Sequence, residues 1–264
     1  MKKIVIVIGA CCYNRGSEAL LKGTVAIIKK YIPDSTIVVS SAEEEFGPQL
    51  NIEGVDEYVK RYSYGKKITV NRLICIILRR LFKAYKAAEK FKYKYLLHAG
   101  KDADIILVVG ADNYAKSYEG FNFMNSLNTL LKETTKGKMV LYDCSLDPAE
   151  IDENIKKDFA LFDVITARES ITYSGFKAAF PEKDIYYFPD PAFVMEKKAV
   201  SLPEGFIEGE MVGINVSSMV VEDKYGSNQD MILKAYVKLI QTIITNNYKY
   251  RIPCSSCPAC DEEI

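Results

Sequence analysis

Five β-branched residues in succession, Ile4-Val5-Ile6-Val7-Ile8, constrain this chain more than any other feature. An unbroken apolar run of that kind is buried on both faces, as a central strand of a parallel sheet is. Leu20, Leu21, Thr24, Val25, Ile28 and Tyr31 then recur at helical spacing until Pro33 ends the pattern. Between strand and helix lies the loop Asn14-Arg15-Gly16-Ser17-Glu18-Ala19. A strand, a tight loop and a helix N-terminus together offer backbone N–H groups to an anion, and Gly16 allows close approach. Ser17 as a plain helix cap and Gly16 as a plain turn fit the same residues. Neither the glycine-rich dinucleotide fingerprint nor a P-loop is present, so the loop suits a phosphate or carboxylate rather than a dinucleotide.

The rest of the chain repeats the alternation. Strands are expected at 36–40, 104–110, 139–144, 164–167 and 185–188, with helices at 121–132, near 151–160 and at 169–179. This pattern predicts an α/β, Rossmann-like parallel sheet covered on both faces, with ligands beyond the carboxyl ends of its strands. The reading gives an N-terminal lobe over 1–195, a polar, turn-rich linker over 196–210, and a second unit over 211–264 that opens with a strand at 212–216 and a helix at 228–246. The apolar face of that helix must pack on the first lobe, pair with another copy in a homo-oligomer, or stay exposed.

Composition removes several classes. Thirty-five basic and 35 acidic side chains cancel, which argues against a nucleic-acid partner. No apolar run reaches the roughly 18 residues of a membrane span, and the N-terminal run leads straight into the loop rather than to a cleavage site. Cys11, Cys12, Cys75 and Cys144 sit in or beside apolar segments, as reduced thiols do, so the expected compartment is cytoplasmic.

Polar residues gather at the expected strand ends: Gly110-Ala111-Asp112-Asn113-Tyr114, Ser145-Leu146-Asp147-Pro148, Ala167-Arg168-Glu169-Ser170 and Asp190-Pro191-Ala192-Phe193. Together with the Asn-x-Gly-x-Glu-Ala loop, this ordered set resembles the polysaccharide pyruvyl transferase family over about residues 3–217. The resemblance implies a two-lobed, GT-B-like fold with the active site between lobes. It also implies transfer of the enolpyruvyl group of phosphoenolpyruvate, as co-substrate and with no other cofactor, onto a hydroxyl pair of a sugar. Acceptors in the family are cell-wall or exopolysaccharide sugars, some lipid-linked. A bidentate guanidinium is the natural clamp for the carboxylate and phosphate of such a donor. Arg168 matches the family's Arg-Asp/Glu-x-x-Ser position and is the implied catalytic anion binder; pairing with Glu169 is its structural alternative. Asn14, Gly16, Ser17, Glu18, Gly110, Asp112, Asn113, Ser145 and Asp190 are the implied substrate-binding residues, Asp112 and Asn113 for sugar hydroxyls or for orienting their loop. Asp190 equally suits capping a turn.

The chain departs from the family pattern in three places. Ala111-Asp112 follows Gly110 where members often carry further glycines, and Ser17 stands where Asp is frequent. Where the family has a Pro-His segment with a favoured catalytic histidine, this chain reads Pro253-Cys254 and ends eleven residues later. The only histidine, His98, lies elsewhere and is expected to be structural. An incomplete second lobe and little turnover are therefore expected. Two other functions stay open: a nucleotide-sugar-dependent glycosyltransferase on a similar scaffold, and an inactive remnant that binds anions or glycans. Cys254, Cys257 and Cys260 have a spacing seen in iron–sulfur and some zinc sites but lack an adjacent fourth ligand; no metal is the expectation, with a site completed by Cys11 or Cys12 as the weaker alternative.

Residues 60–101 hold 13 bases against the single acid Glu89, and Val70, Leu73, Ile74, Ile77, Leu78, Leu81, Phe82 and Tyr85 form an apolar helical stripe within them. One reading is an insertion helix packed on the sheet with a basic solvated face. The other is peripheral contact of 66–94 with an anionic membrane.

Overall fold

The computed structural model describes residues 1–8, 14–41, 51–63, 69–115, 121–196, 199, 201, 207, 209, 211–214, 229–246 and 249–251. It divides into two compact units, Met1–Met195 and Glu196–Ile264.

The first unit is built on β1 (Lys3–Ile8), α1 (Arg15–Tyr31), β2 (Thr36–Ser41), β3 (Glu57–Lys60), α2 (Val70–Arg80), α3 (Tyr85–Lys92), α4 (Lys94–Gly100) and β4 (Ile105–Ala111). It continues with α5 (Phe121–Thr134), β5 (Lys138–Cys144), α6 (Glu153–Phe159), β6 (Val164–Ala167), α7 (Ser170–Ala179) and β7 (Asp184–Tyr187), closing in a 3₁₀ turn at Pro191–Val194. The seven strands are all parallel, in the order β3-β2-β1-β4-β5-β6-β7. The order reverses between β1 and β4, and the crevice beyond the carboxyl ends at such a reversal is where open α/β sheets bind ligands.

Alternation along β1 explains both faces of the sheet. Ile4, Ile6 and Ile8 pack with Leu20, Leu21, Val25 and Ile28 of α1, while Val5 and Val7 face the larger core of Leu96, Leu127, Leu131, Phe159 and Phe176. Phe159 lies edge-on to Tyr114 and Phe176, with centroids 4.9 and 5.4 Å away.

Two expectations need correction. Glu57–Lys60 forms an additional edge strand, β3, paired to β2 from Val38↔Glu57 to Ser41↔Lys60. The stripe from Val70 to Tyr85 is two helices rather than one, broken at 81–84, where Lys83 adopts φ +49°.

In the second unit, β8 (Met211–Gly213) and β9 (Lys249–Arg251) are parallel and joined through α8 (Gln229–Thr245), a βαβ unit. Cys254, Cys257 and Cys260, like Cys11, Cys12, Lys66 and Lys67, lie outside the described residues. No helix among the described residues is long and apolar enough to cross a membrane.

Candidate active site

Because every strand of the first unit runs the same way, Asn14 after β1, Asp112 after β4, Asp143 in β5, Arg168 after β6 and Asp190 after β7 all belong to one edge of one sheet. At its centre is Arg168, with side-chain exposure of 20%. Its Nη2 donates to Asp112, its Nη1 donates to Asp190 Oδ2 at 3.3 Å, and Nη1 stands 3.7 Å from Asp143 Oδ2. Burial alone would lower the guanidinium's pKa, but these three carboxylates together raise it. Glu169 is not its partner. That carboxylate caps α7, accepting from the Ile171 and Thr172 amides, and takes the Ser145 hydroxyl at 3.4 Å.

Asp143 escapes the sequence reading, because it stands inside what reads as an ordinary strand. The pairing of β5 with β6 steps from Leu141↔Ile165 to Cys144↔Ala167, so β5 carries one residue more than its partner. The extra residue is accommodated by a bulge in which Asp143 takes φ +56°. Thr166 Oγ1 accepts the Asp143 amide at 2.8 Å, holding that conformation. The residue is 3% exposed, and among the described residues neither carboxylate oxygen has a hydrogen-bond partner. Burial, with the neighbouring Asp190 and Asp112 charges against the relief from Arg168, pushes its pKa up to about 7. A left-handed, buried carboxyl of raised pKa beside Arg168 makes Asp143 a candidate functional acid. The polar Tyr142-Asp143 pair near the end of an otherwise apolar strand marks the place in the sequence without revealing the bulge.

The remaining predicted residues fall into groups. Asp190 caps a turn, one of its two expected roles: Oδ1 accepts the Ala192 amide at 2.8 Å in the 3₁₀ turn, while Oδ2 faces Arg168. Asn113 folds back, its amide to Gly110 O at 2.9 Å and Nδ2 to Val109 O at 3.2 Å, which fixes the loop that carries Asp112. Gly110 is a place of close strand approach, since a Cβ there would lie 2.7 Å from Cys144 Cβ. The Ser145 amide donates to Ala111 O at 2.8 Å, across the same seam.

At α1 the cap is Asn14 rather than Ser17: Asn14 Oδ1 accepts from the amides of Gly16 at 2.9 Å and Ser17 at 3.3 Å. Those two N–H groups are thereby satisfied within the loop. Glu18 sits in the first turn, bonded to Arg15 at 2.9 Å and Lys22 at 2.5 Å; burial opposes its ionisation, and these two bases outweigh it and lower its pKa. The α1 N-terminus is thus self-capped and carries its own negative charge.

Tyr114 anchors the Asp112-Asn113 loop in the core. Asn128 Nδ2 donates to Tyr114 Oη and to Asp158 Oδ2, both at 2.8 Å, and Asn125 Nδ2 reaches Asp158 Oδ1 at 3.2 Å. Removing the hydroxyl in Tyr114→Phe leaves this buried group short of a partner and should cost about 1–3 kcal/mol. Urea denaturation measures it; an unchanged midpoint would show that the network does not hold the loop.

Among solved structures, the chain is similar to Escherichia coli heptosyltransferase WaaC with ADP, at 13% identity and a TM-score of 0.40 over 98% of this chain and 70% of that one. It is also similar to E. coli ADP-heptose lps heptosyltransferase II, at 13% identity and a TM-score of 0.33 over 96% of this chain and 64% of that one. No functionally curated protein matches it in sequence. The model of one family, polysaccharide pyruvyl transferase, matches residues 14–259, nearly the whole chain, and the chain belongs to that family.

Proposed function

We propose that the chain transfers the enolpyruvyl group of phosphoenolpyruvate to a hydroxyl pair on a sugar of a cell-surface polysaccharide or its precursor. The observation that carries this reading, beside the family membership, is the pairing of Arg168 with a protonatable Asp143 at one sheet edge. The reaction needs a cation for the donor's carboxylate or phosphate and a proton for its methylene carbon.

Of the three carboxylates around Arg168, Asp112 has a side chain 51% exposed, against 2% for Asp143 and 26% for Asp190. Asp112 is therefore the one that a substrate anion displaces, and it is then free to accept from a sugar hydroxyl. Asp190 and Asp143 keep the guanidinium aimed. A proton on Asp143 also removes one negative charge from the path of an incoming anion.

In the transfer, the Asp143 carboxyl gives its proton to the methylene carbon, leaving oxocarbenium character at the adjacent carbon. One sugar hydroxyl attacks that carbon, the bond to the phosphate oxygen breaks, and the second hydroxyl closes the ketal. The two hydroxyl protons restore Asp143 and accompany the departing phosphate, so the reaction balances without an added reactant.

The test is phosphate release from phosphoenolpyruvate with a panel of acceptor sugars, together with thermal protection by candidate donors. Protection by phosphoenolpyruvate and a slow, acceptor-dependent release are expected. Protection by a nucleotide sugar instead, or no release with any acceptor, would contradict the reading.

A further inference from the structure

The hairpin of α2 and α3 turns a face outward that a helix packed on a sheet would bury. Cys75 and Ala88 are its buried residues, and they point inward. Val70, Leu73, Ile77 and Leu81, succeeding one another at steps of three and four, are 73, 47, 42 and 75% exposed. Phe82 and Tyr85, at the turn and the start of α3, are 70 and 63% exposed. These residues make one apolar ridge on the surface of the first unit, larger than scattered single side chains would give.

Bases surround the ridge. Arg80 stands on the ridge face itself, seven residues after Leu73 and four after Ile76, and Lys83 stands at the turn beside Phe82. Among the described residues no carboxylate pairs with either. Arg79 is engaged by Glu89, and Lys86 by Glu133 at 2.6 Å. The hairpin thus presents uncompensated positive charge at the apolar ridge, and Glu89, its only acid, is turned to Arg79 and Lys92.

We infer that this hairpin is a docking surface for an anionic lipid bilayer, with the ridge of Val70, Leu73, Ile77, Leu81 and Phe82 entering the interface and Arg80 and Lys83 meeting the headgroups. Charge complementarity selects this occupant. A second copy of the chain would bring the same bases against one another, whereas an anionic headgroup layer neutralises them. Apolar residues alternating with bases along a short exposed helix also suit a helix lying in the plane of a bilayer surface. The inference does not depend on the reaction proposed above, although a lipid-linked acceptor would place substrate and enzyme on the same surface.

The experiment is vesicle co-sedimentation of the full chain. One set of vesicles is a mixture of phosphatidylcholine and phosphatidylglycerol, the other pure phosphatidylcholine, each at low and high salt. Binding to the anionic vesicles at low salt, with at least about tenfold weaker binding to the neutral ones, is expected. Arg80→Glu with Lys83→Glu removes two attractive charges and should weaken anionic binding roughly 25-fold or more. Leu81→Ser with Phe82→Ser should weaken it at least about tenfold. All four positions are exposed, so thermal melts and phosphoenolpyruvate binding should not move. Equal binding to both vesicle types, insensitivity to the charge reversals, or a dimer in sedimentation velocity that Leu81→Ser with Phe82→Ser dissociates would each overturn the inference.

Discussion

Asp143→Asn is expected to make the protein more stable at pH 8 and far less active. The folded chain holds the Asp143 proton up to about pH 7, well above an ordinary aspartate near 4, because burial and neighbouring carboxylates outweigh Arg168. A pKa raised on folding contributes stability that is full below the unfolded value and is lost as pH rises through the folded one. Wild type should therefore lose stability between about pH 4 and pH 8. Asparagine keeps the shape, stays neutral and tolerates the left-handed backbone at this position. The gain at pH 8 should be on the order of a few kcal/mol, several degrees in Tm, vanishing toward pH 4. Asp158, whose pKa burial raises to about 6 against its hydrogen bonds from Asn128, Tyr114 and Asn125, should supply the slope that remains in the variant.

Activity should move the other way. Loss of a positioned proton donor reduces rate by about 10²–10⁴-fold. Phosphoenolpyruvate binding at pH 8 should be at least as tight in the variant, because no carboxylate forms beside the incoming anion. Melting scans from pH 4 to 8 with parallel phosphate release assays check both parts. An Asp143→Asn protein that melts lower at pH 8, or that releases phosphate at the wild-type rate, would remove Asp143 from the site.

The second large effect is expected from one methyl group. Gly23, in the middle of α1, lies under the turn that carries Asp190: a Cβ there would fall 1.9 Å from Pro191 O and 2.5 Å from Pro191 C. Both contacts are backbone, so no side chain can swing aside. Alanine is intrinsically better in a helix by about 1 kcal/mol, and the overlap must exceed that gain. Gly23→Ala should destabilise the protein by about 1–3 kcal/mol and shift Asp190 away from Arg168. Weaker phosphoenolpyruvate binding should accompany the lower Tm. A variant as stable as wild type would mean that α1 does not bear on the 190–194 turn.

How much of this was legible in the sequence depends on what each residue's neighbours make of it. β1, β2, β4, β5 and β6 are runs of buried β-branched and apolar residues and read directly as strands. Glu57-Tyr58-Val59-Lys60 does not, because an edge strand is short and half polar. The break between α2 and α3 is hidden because Leu81, Phe82 and Ala84 continue the apolar rhythm with no Gly or Pro, and only the positive φ of Lys83 marks it.

At the site, Asp112, Arg168 and Asp190 could be placed on one edge because parallel strands deliver their ends together. Asp143 could not, since a bulge is a property of two strands in register and not of either alone. Arg61 was hidden among the bases of 60–101, yet it is fully buried, with Nη2 donating to Ile8 O and to Ser40 O at 3.0 Å, clasping the ends of β1 and β2. Charge counts along a chain do not reveal which base turns inward.

The central claim is that Arg168, held by three aspartates, exchanges one of them for the anionic donor. Calorimetric titration of wild type and Arg168→Ala with phosphoenolpyruvate at neutral pH tests it most directly. Loss of a charge-assisted bidentate contact costs about 1.5–3 kcal/mol, so the variant should bind roughly tenfold to a hundredfold more weakly. Equal affinities in the two proteins would contradict the claim.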